Sequence, residues 1–146
     1  MGSFKGKYEH KISETGRISV PSKFRDILRS KYESDDLVLL SMGSHLRVYP
    51  ASEWEKQEAR WEQEQAGNPE LNEFLRRLYS MMDECSIDKN GRIVITQDVR
   101  KYNSLEGDCI INGFRNRMEI WDRAAWESAT GGEKVEALFA KFADSF

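Results

Sequence analysis

The sequence predicts an α+β domain built from two copies of one unit, folded onto each other as a pseudo-dimer. Three observations carry this. First, Glu9, Ile12, Gly16, Arg17, Ile18 and Arg25 recur 75 residues later as Glu84, Ile87, Gly91, Arg92, Ile93 and Arg100, and such self-similarity sets the architecture before any local reading. The repeat then resumes at an offset of 72, with Leu46–Tyr49 and Trp54 echoed by Met118–Trp121 and Trp126; loops absorb such a three-residue deletion. Second, a tight turn followed by arginine stands at the centre of each copy. Third, the chain has 146 residues, and a copy of roughly 60 to 70 residues would hold only a marginal core. Intertwined halves sharing one core are therefore expected. Four Trp, seven Phe and an apolar fraction of 39% suffice for it.

Residues 1 to 7 read as a short arm that Phe4 could anchor. Tyr8–Ile12 and Arg17–Val20 read as strands around a turn, because Ile18 and Val20 alternate with Arg17 and Ser19. Gly16 and Gly91 supply the positive φ of a hairpin turn or bulge, with Asn90-Gly91 the stronger hairpin signal. Pro21 stops the strand and suits the first position of a helix. Phe24, Ile27 and Leu28 mark that helix, ending near Arg29 to Tyr32. Strands Leu37–Ser41 and Leu46–Tyr49 follow, around the turn Met42 to His45.

Ser52 and Glu55 form a capping-box pattern opening a helix with Trp54 and Trp61 on one face, which Gly67 ends. Asn68 as cap and Pro69 in the first turn start the next helix. Leu71, Phe74, Leu75, Leu78 and Met82 give it a core-facing stripe. The second copy repeats the plan: strands around Lys89-Asn90-Gly91, a short helix with Val99 and Tyr102, then strands Cys109–Asn112 and Met118–Trp121. Asp122 caps a helix holding Trp126, which Thr130-Gly131-Gly132 breaks. The final segment, with Val135, Leu138, Phe139, Phe142 and Phe146, is too apolar for a free tail and is expected to pack on the body or on a neighbouring subunit.

Charge is distributed unevenly. The formal net charge is −3 at pH 7, yet residues 1–32 carry eight basic residues against three acidic, while residues 51–84 carry nine acidic against four basic. A local basic face, repeated by an oligomer, can bind an anionic partner despite the overall sign. No run is long and apolar enough to span a bilayer, and the N-terminus lacks a signal pattern, so a cytoplasmic protein is expected. Cys85 and Cys109 have no metal or redox spacing, and Cys85, beside a predicted strand, is expected reduced and buried.

The chemistry of an enzyme is missing. His10 falls on a strand and His45 in a turn, neither with ligand spacing. Neither phosphate-loop pattern occurs, and the carboxylates lie on solvated helix faces. No catalytic residue, metal site, cofactor or small-molecule substrate is expected. What remains is two Gly-Arg turns. A guanidinium is a rigid fork suited to phosphate or to guanine O6 and N7 in the major groove, which a two-stranded ribbon fits. Asp88, four residues before Arg92, could hold that guanidinium by paired hydrogen bonds; the plainer alternative is a surface ion pair that only pins the hairpin.

Phe4-x-Gly6-x-Tyr8-Glu9-His10, Gly16-Arg17-Ile18-x-Val20-Pro21-x-x-Phe24-Arg25, Val48-Tyr49-Pro50 with Trp54, Glu84-Cys85-x-Ile87-Asp88-x-x-Gly91-Arg92-Ile93 and Glu119-Ile120-Trp121-Asp122 together resemble the MraZ family, over residues 4 to about 128. The resemblance implies an AbrB-like swapped-hairpin β-barrel with both halves in one chain, with short helices and a helical linker. The units would be a first repeat at 4–54, a linker at 55–82, a second repeat at 83–128 and a C-terminal segment at 129–146. It also implies a bacterial, nucleoid-associated DNA-binding transcriptional regulator of the division and cell-wall gene cluster, assembled as a homo-oligomeric ring on promoter repeats of double-stranded DNA. The family motif Asp-x-x-x-Arg is intact as Asp88 to Arg92, whereas Ser13 stands where an aspartate is expected before Arg17. On this reading Arg17 and Arg92 contact DNA, Thr15, Gly16, Lys89, Asn90 and Gly91 shape and flank the contact, and Ser13 and Asp88 orient the arginines. The rival reading is an antitoxin-like or scaffold module of the same fold that binds a protein through its apolar C-terminal face.

Overall fold

Strands from the two copies interleave. The computed structural model describes residues 2–64 and 67–146. The first copy supplies β1 (Lys7–Ile12), β2 (Arg17–Ser19), α1 (Ser22–Ile27) running into a π-helical turn at Leu28–Tyr32, β3 (Asp36–Ser41) and β4 (Leu46–Pro50). Helices α2 (Ala51–Glu64) and α3 (Pro69–Ser80) lead to β5 (Asp83–Ser86), β6 (Arg92–Val94), α4 (Gln97–Tyr102), β7 (Gly107–Phe114) and β8 (Arg117–Asp122). The chain closes with α5 (Arg123–Thr130), α6 (Glu133–Phe142) and a 3₁₀ turn, Ala143–Ser145.

Six strands form an antiparallel sheet in the order β1-β7-β8-β4-β3-β5, and β2 pairs with β6 in a separate two-stranded ribbon. Exchanging the copies maps this order onto itself: β1 of the first copy lies on β7 of the second, and β5 of the second lies on β3 of the first. The sequence reading expected β1 and β2 to flank a hairpin turn. The turn exists, but its two arms part company. All six residues of β1 pair with β7, from Lys7↔Asn112 to Ile12↔Gly107, and β2 pairs with β6. Each turn thus carries the chain from the sheet to the ribbon rather than folding it back on itself.

The period-2 pattern places one side chain in two on a shared core. Ile18 meets its counterpart Ile93 across the ribbon, and Val20/Ile95, Phe24/Val99, Leu39/Ile111, Leu46/Met118 and Val48/Ile120 fill the same cluster from both copies. Full burial of each such side chain stabilises the fold by about 1.5–3 kcal/mol, so neither copy could keep its core alone. Phe4 is wholly buried edge-on to Phe24 at 5.4 Å between centroids, which fixes the N-terminal arm. A second cluster, Val38, Leu40, Trp54 and Leu78, seats α2 and α3 on β3 and β4.

Local expectations fared unevenly. Asn68 caps α3 by accepting from the amides of Glu70 (3.0 Å) and Leu71 (3.2 Å), and Asp122 caps α5 by accepting from Ala125 N at 3.1 Å. The capping box at Ser52 is not formed among the described residues. Helix α2 begins at Ala51, directly after Pro50, so Ser52 is already inside the first turn. Of the α3 stripe, Leu78 is buried, Leu71, Leu75 and Met82 are half-buried, and Phe74 is exposed. The residues that join α2 to Gly67 are outside the described ones; Gly67 itself has φ +82°. The C-terminal face does not pack on the body: α6 buries no residue, and Phe139 is 74% exposed. Cys85 and Cys109 are both free, Cys109 buried and Cys85 half-buried. Burial raises the Cys85 thiol to about 12 and the Cys109 thiol to about 11. No helix among the described residues is long and apolar enough to cross a membrane.

Candidate nucleic-acid interface

Both Gly-Arg turns close with the same backbone bonds. In the first, Gly16 N donates to Ser13 O and Ser13 N to Arg17 O, each at 2.9 Å. In the second, Gly91 N donates to Asp88 O at 3.0 Å and Asp88 N to Arg92 O at 2.9 Å. The fourth residue of each turn has positive φ, +81° at Gly16 and +77° at Gly91, a conformation glycine adopts without a steric cost.

The acceptor at the head of each turn binds backbone. Asp88 Oδ1 accepts from the amides of Asn90 (2.8 Å) and Arg92 (3.0 Å). Its other oxygen stands 3.9 Å from Arg92 Nε, an ion-pair distance rather than a hydrogen bond. The expected paired hydrogen bonds to the guanidinium are therefore absent: the carboxylate is occupied by the turn it shapes, and it positions Arg92 through the backbone. The Arg92 amide first, then the Asn90 amide and the charges of Arg92 and Arg17, hold the Asp88 carboxyl below the usual aspartate range. Ser13 does part of the same work with a neutral group. Its Oγ receives the Arg17 amide at 3.1 Å and bonds Thr15 Oγ1 at 3.0 Å. The departure from aspartate at this position keeps the turn's backbone bonds and the bond to the arginine amide, exchanges the bond to the third residue's amide for one to its hydroxyl, and removes the charge beside Arg17.

Each turn is braced from the other copy. Val20 N donates to Gly91 O at 2.9 Å, and Ile95 N donates to Gly16 O at 2.8 Å. Arg25 Nε donates to Val20 O at 3.1 Å and its guanidinium lies against Gly91. Arg100 Nε donates to Ile95 O at 3.0 Å, its Nη1 reaches Glu14 O at 3.3 Å, and it lies against Gly16. Both glycines are buried as a result. The sequence reading placed Arg25 and Arg100 in the repeat without giving them a role; their recurrence at the same offset as Gly16 and Gly91 was the available signal.

The ribbon between the turns has two faces. Arg17 stands opposite Val94, Ile18 opposite Ile93, and Ser19 opposite Arg92. The isoleucines point into the core, so Arg17, Ser19, Arg92 and Val94 share the outer face. Arg17 is exposed and Arg92 partly so, and Arg92 Nε is buried with no hydrogen-bond partner. Thr15 in one turn and Lys89 and Asn90 in the other are exposed at the tips. The structure thus brings all nine residues singled out in the sequence to one ribbon and its two ends. The face offers two forked cations on a rigid, glycine-turned scaffold, a shape suited to a groove of alternating phosphate and base-edge acceptors. Among the described residues no group of three His, Cys, Asp or Glu side chains is placed to hold a metal ion.

Two comparisons bear on this arrangement. The family model for the MraZ protein, described as antitoxin-like, matches twice, at residues 3–77 and 78–146. The chain is also similar to proteins named transcriptional regulator MraZ. That of Mycobacterium sp. strain KMS is 40% identical over 85% of this chain and 84% of the relative. That of Pediococcus pentosaceus is 34% identical over 97% and 95%, and that of Acetivibrio thermocellus 34% over 92% and 91%.

Proposed function

This chain belongs to the MraZ family, and from that premise we propose that it is a sequence-specific DNA-binding transcriptional regulator, without enzymatic activity, that reads double-stranded DNA through its two Gly-Arg turns. The relatives' shared name as transcriptional regulators supports the broad reading. The observation that carries the mechanism is the ribbon face, where Arg17 and Arg92 stand outward on diagonal positions of two paired strands. A two-stranded ribbon fits the major groove, and arginine is the commonest reader of guanine there. Thr15, Lys89 and Asn90 flank the contact, Gly16 and Gly91 shape its turns, and Ser13 and Asp88 set them.

The exchange of β1 and β5 between copies supports an AbrB-like swapped-hairpin barrel as the fold. Residues 4–54 and 83–128 would be its repeats, 55–82 the linker and 129–146 a C-terminal segment. One chain presents little net positive surface, with a formal charge of −3, so binding would draw on several subunits, assembled as a ring on promoter repeats of the division and cell-wall genes, in the cytoplasm at the nucleoid. Avidity then substitutes for the affinity of one subunit.

The test is a fluorescence-anisotropy titration on DNA from upstream of the protein's own gene at two salt concentrations, for wild type and the double variant Arg17→Ala/Arg92→Ala. Salt-sensitive binding by wild type that the variant loses is the expected result. Unchanged affinity and salt dependence in the variant would remove the turns as reading heads. A second reading, an antitoxin-like module that binds a protein, is favoured by the uncovered phenylalanines of α6. Its mark would be one stoichiometric protein partner and no retention on DNA.

A further inference from the structure

We propose that Val94 is a specificity-determining residue, its exposed side chain meeting the C5 methyl group of a thymine beside the base pair engaged by Arg17. This deepens the DNA-binding reading above and rests on it.

The argument starts from register. Directly opposed residues of an antiparallel pair lie on one face, with Cβ atoms about 4.5–5.5 Å apart. Val94 is the direct partner of Arg17, so both rise from the outer face of the ribbon as neighbours. Val94 is 43% exposed, while Ile93 and Ile95 on either side of it are buried at 1% and 0%. Those two isoleucines supply the core from this segment, and Val94 contributes nothing to it. A single exposed valine is ordinary on a protein surface. This one differs in its place: it stands on the face that carries both guanidiniums, with no other apolar side chain among the four that the ribbon turns outward.

Internal symmetry sharpens the point. The counterpart of Val94 in the first copy is Ser19, at the offset of 75 that relates Arg17 to Arg92. Ser19 is likewise the direct partner of the other arginine, Arg92. The fold therefore accepts a hydroxyl or an isopropyl group at this position, and packing does not explain which copy has which. The ribbon face holds two arginines on one diagonal and the unlike pair Ser19 and Val94 on the other.

The chemistry of the groove then assigns the partner. The thymine methyl is the one apolar group that base pairs present in the major groove. A β-branched side chain is held to few rotamers, so Val94 keeps its methyl groups in one place beside Arg17. The spacing of opposed residues exceeds one base step of about 3.4 Å, so an arginine seated on one base pair leaves its cross-strand partner over a neighbouring one. A serine hydroxyl donates or accepts and discriminates little. The two ends of the ribbon would then read different sequences, and the site for one subunit would be non-palindromic.

The test uses the full-length protein and a duplex that wild type selects from a random pool. Each thymine of that duplex is replaced singly by deoxyuracil, which removes the methyl group and nothing else. Wild type is expected to lose affinity about three- to fourfold at one thymine next to a G·C pair, the scale of one buried methyl-sized group. Val94→Ala should bind the thymine and uracil duplexes equally, and Ser19→Val should gain a second sensitive thymine. If wild type binds its selected duplex yet tolerates uracil everywhere, or if Val94→Ala keeps the same penalty, the assignment of Val94 falls and the DNA reading stands. If wild type selects no sequence, both fall. Circular dichroism of the variants confirms folding, which an exposed position should not disturb.

Discussion

Arg25 of the first copy lies under Gly91 of the second, so close that a Cβ on Gly91 would stand 2.9 Å from its guanidinium carbon. Arg100 and Gly16 repeat the contact in the opposite sense, but there a Cβ would also stand 2.3 Å from the carbonyl oxygen of Ile95. A flexible side chain can move aside more easily than a backbone carbonyl whose residue is itself bonded to Gly16 O through its amide. Gly16→Ala is therefore expected to cost more than Gly91→Ala. Both lose about 1–3 kcal/mol to the positive φ, and Gly16→Ala adds the displacement of the backbone at Ile95, just past β6. Chemical denaturation of the two variants checks the order; equal losses would show that the carbonyl contact is without consequence.

Asp88 should make the protein acid-sensitive in a defined window. Its carboxyl is depressed by the amides it accepts. A depressed group stabilises the fold above its unfolded value, about 3.9 for aspartate, and loses that contribution as pH falls through the folded value. Asp88→Asn keeps an acceptor for the Asn90 and Arg92 amides but does not titrate. It is expected to unfold with a flatter pH profile below about pH 4 than wild type, measured by thermal melts across pH. Asp88→Ala should destabilise the turn near neutral pH, because the Asn90 and Arg92 amides lose their acceptor.

His45, between β3 and β4, carries a second pH dependence. Its ring is buried, stacked on Trp121 at 4.3 Å between centroids. Nδ1 bonds Ser44 Oγ at 2.9 Å, and Nε2 accepts from Arg47 Nε at 3.4 Å. Burial lowers its pKa, against the pull of Glu119 at 3.6 Å and with the help of Arg47 and Arg117. The folded state thus prefers the neutral ring, and stability should fall as pH drops below the unfolded histidine value of about 6.5. His45→Gln is expected to flatten that decline between about pH 6.5 and 5. A wild-type profile that is level there would show that the ring gains no proton on unfolding.

Helix α6 should matter to assembly and not to the fold of one chain. It buries no residue, and Phe139 and Phe142 are 74% and 53% exposed. Surface substitutions that touch nothing change stability by less than about 0.5 kcal/mol. Phe139→Ser/Phe142→Ser is expected to leave the secondary structure of the chain intact and to lower its mass in solution, read by light scattering. An unchanged mass would show that subunits meet elsewhere.

Much of the local structure was legible. The glycines of the turns, the alternation in β2 and β6, and the caps at Asn68 and Asp122 are set by φ preference, period and short-range hydrogen bonds. The cap at Ser52 does not form because α2 starts at Ala51, two residues before a Ser52 cap would begin it, and sequence spacing does not resolve such a shift. The candidate site was legible as a list of residues but not as a mechanism. The Asp88 carboxylate could serve either the guanidinium or the amides of its own turn. Only the folded turn, which brings two amides within 3.0 Å of Oδ1, decides between them.

What the sequence determined by itself is the unit: two copies, each with a turn, a short helix and paired strands, and an arginine following each buried-to-be glycine. What the tertiary structure decided is the partnership. Because the copies are nearly alike, each strand carries the same apolar face toward its own copy and toward the other, and periodicity says which face is buried but not against whom. The shared core of Ile18 and Ile93 settles it in favour of exchange, since the interleaved copies bury the apolar faces of both against each other. That exchange sets Arg25 under Gly91, Arg100 under Gly16, and Val94 beside Arg17, relationships between residues about 66 to 84 positions apart that no local signal encodes.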